Sequence, residues 1–287
     1  MQLTLEELKN KRVGVVFSSG FFGFFAHAGC LKALEELGIR PVGYAGTSSG
    51  AIVAAFAAAG LSADAVSNTF LKLNKKDFWD PEPWYKTVLS ALKLFQGSLG
   101  YLEGNRFSAL LDTYLPAKRF EDLKTPCVIV AANLSKKRRE VFTTGSIADA
   151  VYASGTIPWT FKMKKIDEDY FLDGGLIDKA PVEVLRKHVN PQVIIVHYIT
   201  SQDLTDRSNS FLLKRFSPQS AYGLTMSIER HEHYLAQKML AEQQGAVVIE
   251  LKPTVPLVTP NHLERGREAF NNAYIFTLDY FRETERN

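Results

Sequence analysis

Residues 44–53 read Tyr44-Ala45-Gly46-Thr47-Ser48-Ser49-Gly50-Ala51-Ile52-Val53. The central five fit Gly-x-Ser-x-Gly, in which small residues at Gly46 and Gly50 let the chain turn sharply from a strand into a helix and expose the middle hydroxyl. Such a pattern also arises by accident in a chain with 19 glycines, so its flanks decide its meaning. Upstream, residues 41–45 (PVGYA) read as a short strand. Downstream, residues 51–60 (AIVAAFAAAG) read as an alanine-rich buried helix closed by Gly60. Ser48 thus falls where a nucleophile elbow presents its hydroxyl.

The neighbouring segments repeat this alternation. Val13-Gly14-Val15-Val16-Phe17 reads as a buried strand, and residues 18–25 (SSGFFGFF) as a loop. From Ala26 onward, Cys30, Ala33, Leu34 and Leu37 recur at helical spacing, with Gly38 as the stop. Apolar runs at 127–132, 193–199 and 246–251 supply further strands. Strands buried on both faces and alternating with helices predict a three-layer α/β/α sandwich with a mainly parallel central sheet. Residues 131–142 read as an antiparallel insertion with the basic tip SKKRR (135–139). Long charged helices are expected over 217–244 and 261–286. The aromatic, proline-broken segment 78–95, with Phe78, Trp79, Trp84 and Tyr85, reads as a cap or lid over the sheet's ligand edge. No repeat or long linker interrupts residues 1–287, which predicts a single domain: a motif-bearing core over about 12–200, completed by a strand and helices in 201–287.

Composition narrows the class. The 34 basic and 31 acidic side chains leave a net charge of only +3, so no nucleic-acid partner is indicated. Cys30 and Cys127 lie far apart in apolar runs and read as two buried thiols, which suits a reducing compartment. The first residues carry acid where a secretory signal carries base, and no apolar run is long enough to span a bilayer. The expectation is a cytoplasmic protein, with peripheral contact at membranes allowed.

A serine hydroxyl attacks an ester only with a base to take its proton and donors for the oxyanion. The base is a histidine or a carboxylate. His188, His197, His231, His233 and His262 follow Ser48. His197 lies within an apolar strand, which favours a core role, and His231 and His233 flank Glu232 in a charged helix, without the spacing of a zinc helix. The carboxylate candidate is Asp173 in Phe171-Leu172-Asp173-Gly174-Gly175, where a strand ending in Asp-Gly-Gly either opens a turn or presents a base at the sheet's ligand edge.

Four segments in order, SSGFFGFFAHAGCLKALEELGI (18–39), GTSSG (46–50), ADAVYASGTIP (148–158) and FLDGGLIDKAPV (171–182), resemble the patatin-like phospholipase family of lipid acyl hydrolases. The resemblance implies a Ser-Asp dyad without histidine, with Ser48 as nucleophile and Asp173 as base, acting on carboxylic esters of lipids without metal or organic cofactor. It implies that Asp173 needs raised proton affinity, for which burial beside Phe171 and Leu172 is the expected means. It also implies an oxyanion hole from the backbone of Gly20, Phe21, Phe22 and Gly23. Here the chain departs from the family: Phe22 stands where the family's glycine-rich loop carries a basic residue, and one extra residue precedes Ala26-His27. Two readings stay open beside a dyad esterase. One is a histidine-dependent hydrolase using His197 or His231; the other is a catalytically silent lipid-binding or scaffolding protein. The phenylalanines of the loop read either as an acyl-gripping wall or as packing. Lys136-Lys137-Arg138-Arg139 reads as a solvated tip, His27 as a packing residue and Pro158 as part of a loop bordering the site.

Overall fold

A computed structural model describes residues 3–83, 85, 100–200 and 218–283. Its strands are β1 (Val13–Phe17), β2 (Gly43–Thr47), β3 (Gly100–Leu102), β4 (Cys127–Asn133), β5 (Arg138–Phe142), β6 (Trp159–Phe161), β7 (Lys164–Ile166), β8 (Asp169–Asp173), β9 (Val193–His197) and β10 (Val247–Leu251). Its helices are α1 (Leu5–Lys9), α2 (Phe24–Glu36), α3 (Ser49–Ala58), α4 (Ala63–Leu71), α5 (Lys75–Phe78), α6 (Asn105–Tyr114), α7 (Ile147–Ser154), α8 (Val182–Val189), α9 (Pro218–Gln243) and α10 (Gly266–Glu283).

Strands β10, β9, β1, β2 and β4 lie side by side and parallel. β1, β2, β4 and β9 are buried at every position, as strands covered on both faces must be. Successive side chains alternate between two cores. Val15 and Phe17 pack with residues of α2, α3, α4 and α10, whereas Val16 and Ala45 pack with residues of α8 and α9. Helices therefore cover both faces, giving the expected three layers.

The sheet is mainly parallel, as expected, and carries the expected antiparallel insertion together with two further antiparallel strands. β4 continues into a hairpin with β5, and β8 and β7 join it antiparallel. The sequence of β8 offers no cue to direction, because direction is set by the partner strand. This arrangement positions the site. Ile129 and Val130 of β4 pair with β2 on one side and β5 on the other, while Ala131 to Asn133 pair with β8 and β5. β2 and β8 thus share one edge of β4 end to end: Thr47 opposes Val130, and Asp173 opposes the next residue, Ala131.

The hairpin tip is only partly solvated. Lys136 pairs with Asp169 and Arg138 with Glu140, but Arg139 turns inward to the buried Asp178 at 2.7 Å and to Glu183 at 2.8 Å. Helix α10 starts five residues later than expected, because Thr259 and His262 form a bridge and 263–265 a single tight turn before it. Of the expected cap, Trp84 and residues 86–95 lie outside the described residues.

Candidate active site

Ser48 joins β2 directly to α3. Its backbone sits at φ 55°, ψ −121°, a region that side chains avoid and that costs about 1–3 kcal/mol unless the surroundings enforce it. The enforcement is steric and polar. A Cβ on Gly46 would overlap the Gly50 carbonyl, and one on Gly50 would overlap the Phe17 carbonyl, so the turn closes only with glycine at both positions. The Ser48 N–H donates to Ser154 Oγ at 2.8 Å, and that hydroxyl donates to the Val130 carbonyl at 2.6 Å. Ser154 ends α7, inside the segment ADAVYASGTIP; nothing in its sequence pattern marks it as the clamp of the elbow.

The Ser48 hydroxyl donates to Asp173 Oδ2 at 2.6 Å. Asp173 Oδ1 accepts from the Gly175 N–H at 2.6 Å, and the Asp173 N–H donates to the Thr156 carbonyl at 2.8 Å. Both side chains are buried. Burial pushes the Asp173 carboxyl up to about 6, while the Ser48 hydroxyl, the Gly175 amide and the charge of Arg230 hold it down.

The histidines stand elsewhere. His27 Nε2 donates to the Ser18 carbonyl at 2.8 Å, which leaves its Nδ1 to accept from His197 Nδ1 at 2.7 Å. Burial pushes His27 down to about 3 and His197 well below the usual range, so the pair is neutral. His231 bonds the Tyr198 hydroxyl, and His233 is exposed. Among the described residues no histidine bonds Ser48, and no cluster of histidine, cysteine and carboxylate has metal-holding geometry.

The loop after β1 divides its residues. Gly20, Phe21 and Phe22 border Ser48, and their N–H groups have no acceptor among the described residues. Phe22 adopts φ 51°, so a side chain stands where the backbone favours glycine. The Gly23 N–H differs from the expectation: it donates to the Gly20 carbonyl at 2.9 Å and closes the loop as a turn, which removes it as a free donor. The Ser49 N–H, at the first position of α3, likewise has no acceptor among the described residues. Sequence reading overlooked it, although the residue after an elbow nucleophile is the natural donor.

Two cavities meet at Ser48. A small one of about 90 Å³ is walled by Phe22, Phe24, Phe70, Phe78, Phe107 and Phe161. A larger one of about 380 Å³ holds Asp173, Lys179 and Arg230, and Pro158 lies on its rim. Of the loop phenylalanines, Phe25 is buried packing, Phe24 is buried and with Phe22 also walls the small cavity, and Phe21 is 47% exposed beside both cavities.

The profile of the patatin-like phospholipase family matches residues 15–186, more than half of the chain. The chain belongs to this family. It is 28% identical over 171 residues to an uncharacterized NTE family protein of Mycobacterium tuberculosis, covering 60% of this chain and 44% of that one. It is 27% identical over 206 residues to patatin-like phospholipase domain-containing protein 7 of Rattus norvegicus, covering 70% and 14%. The chain thus spans less than half the length of these curated relatives. Among solved structures, VipD from Legionella pneumophila aligns with 96% of this chain and 67% of its own, at TM-score 0.49 and 15% identity. The type III effector ExoU aligns with 96% and 54%, at TM-score 0.46 and 15% identity.

Proposed function

We propose that this protein is a serine esterase of the lipid acyl hydrolase type, with Ser48 as nucleophile and Asp173 as its base. The observation that carries the reading is the 2.6 Å hydrogen bond from the Ser48 hydroxyl to Asp173 Oδ2 at a strained strand-to-helix turn between two cavities. Asp173 takes the hydroxyl proton as Ser48 Oγ bonds the acyl carbon. The amides of Gly20, Phe21, Phe22 and Ser49 are the candidate donors to the resulting oxyanion, and the N-terminus of α3 adds a favourable dipole. Collapse breaks the bond to the alcohol, which leaves with the proton from Asp173. A water molecule, deprotonated by Asp173, then attacks the acyl-enzyme and releases the fatty acid and Ser48.

A carboxyl raised to about 6 suits this work, because it is ionised at neutral pH yet a stronger base than an ordinary aspartate. Phe22 in place of a basic residue removes no backbone donor. The exposed Phe21 at the cavity mouth supports transient contact with a lipid surface. Two free, buried thiols suit a reducing compartment, so we place the protein in the cytoplasm. The test is a panel of acyl esters and a fluorophosphonate probe applied to wild type, Ser48→Ala and Asp173→Asn. Labelling of wild type and its loss in Ser48→Ala is the expected result. An unlabelled wild type that turns over no ester would leave the silent lipid-binding reading instead.

A further inference from the structure

We infer that Arg230 forms an anion subsite in the larger cavity and holds a phosphate on the alcohol half of the ester; this rests on the esterase reading above. The ester carbon must lie at Ser48, which both cavities share, so the acyl and alcohol halves leave it in different directions. Among the described residues no charged side chain lines the aromatic cavity, which has room for about three water volumes and fits the methylenes next to the carbonyl. The larger cavity lies within the range of about 300–1,000 Å³ typical of small-ligand sites and carries the charged groups that, among the described residues, line the space next to Ser48.

Both oxygens of Asp173 accept hydrogen bonds, from Ser48 and Gly175, and Arg230 brings a guanidinium to the same cavity. Lys179 Nζ lies 4.7 Å from the centre of the Tyr198 ring. Arg230 is half-buried and locked at three points: Nε donates to the Met226 carbonyl at 3.0 Å, Nη1 to the Gly175 carbonyl at 3.2 Å and Nη2 to Ser227 Oγ at 3.0 Å. No carboxylate among the described residues forms an ion pair with it. A guanidinium has five N–H donors, so one remains on each terminal nitrogen, the pattern that recognises two oxygens of one phosphate. The three bonds fix the group before any ligand arrives, which lowers the entropy cost of using it. The contact with Gly175 also ties this cation to the turn that holds Asp173.

The test separates recognition from chemistry. In a Ser48→Ala background, calorimetry measures binding of a monoacylglycerol phosphate, an uncharged monoacylglycerol of the same chain below its micellar concentration, and inorganic phosphate. The phosphate-bearing lipid is expected to bind at least about tenfold tighter than the uncharged one, and Arg230→Gln to remove that preference. Arg230→Lys, which keeps charge but loses the fork, is expected to retain only part of it and serves if the glutamine variant fails to fold. Equal preference in the presence and absence of Arg230 overturns the subsite. Inorganic phosphate binding as tightly as the lipid overturns the headgroup as its source. Failure of the esterase reading appears separately, as ester turnover that survives Ser48→Ala in the otherwise intact chain.

Discussion

Replacing Asp173 with asparagine is expected to abolish ester turnover and, at neutral pH, to stabilise the fold. The carboxyl rises from 3.8 to about 6 on folding because burial penalises its charge. Below about pH 4 both folded and unfolded chains hold the proton, and the group contributes nothing to the balance. Between about pH 4 and 6 the unfolded chain binds fewer protons than the folded one, so stability falls as pH rises. Above about pH 6 the full cost is present. At about 1.4 kcal/mol per tenfold change in proton affinity, that cost is about 3 kcal/mol.

Asparagine removes the charge but preserves both contacts. Its Oδ1 accepts from Gly175, and its Nδ2 donates to Ser48 Oγ once the serine hydroxyl turns. With an unfolding entropy of about 2.1 cal/mol/K per residue over the whole chain, about 3 kcal/mol corresponds to about 5 °C in Tm. Thermal unfolding of wild type and Asp173→Asn from pH 4 to 8 checks this. The difference in Tm should grow in favour of asparagine as pH rises and level off above about 6. A difference independent of pH would refute the idea that the protein holds this carboxylate at a cost to its own stability.

Three further outcomes follow from the same geometry. The kcat/KM for a neutral ester should rise with pH through about 6 to a plateau, as expected if ionised Asp173 is the base proposed above; a flat profile from pH 5 to 8 would count against it. Ser154→Ala leaves the buried Ser48 N–H without its acceptor; a loss of about 1–3 kcal/mol in chemical denaturation should accompany a fall of at least about tenfold in kcat. Gly50→Ala forces a methyl into the Phe17 carbonyl, so the variant should yield little folded protein by circular dichroism, and normal folding and activity would show that the turn relaxes more readily than its packing implies.

The elbow was legible because its chemistry is local: glycine at Gly46 and Gly50, an apolar strand before and an alanine-rich helix after. Asp173 was legible only through the order of motifs, since Asp-Gly-Gly by itself also describes an ordinary turn. What sequence left unread depends on contacts between distant segments. The antiparallel entry of β8, the clamp by Ser154 and the guanidinium of Arg230 are decided by which strands and helices become neighbours. Residues 201–287 offered no motif tied to chemistry, yet α9 delivers Arg230 to the cavity, and Val255 to Val258 with Ala269 complete its wall. Arg139 misled in the same way: within a basic run it looks solvated, but the buried Asp178 draws it inward.

The end-to-end meeting of β2 and β8 along β4 has a consequence for synthesis. A nascent chain that has not yet produced residue 173 leaves the last three residues of β4 with an open edge, a row of unsatisfied N–H and C=O groups that invites pairing with another chain. The strand that closes this edge is the one that ends in Asp173. Closing this edge of β4 and bringing the carboxylate beside Ser48 are therefore one folding event, so the growing polypeptide acquires its hydroxyl–carboxylate pair only as those three residues of β4 find their partner strand.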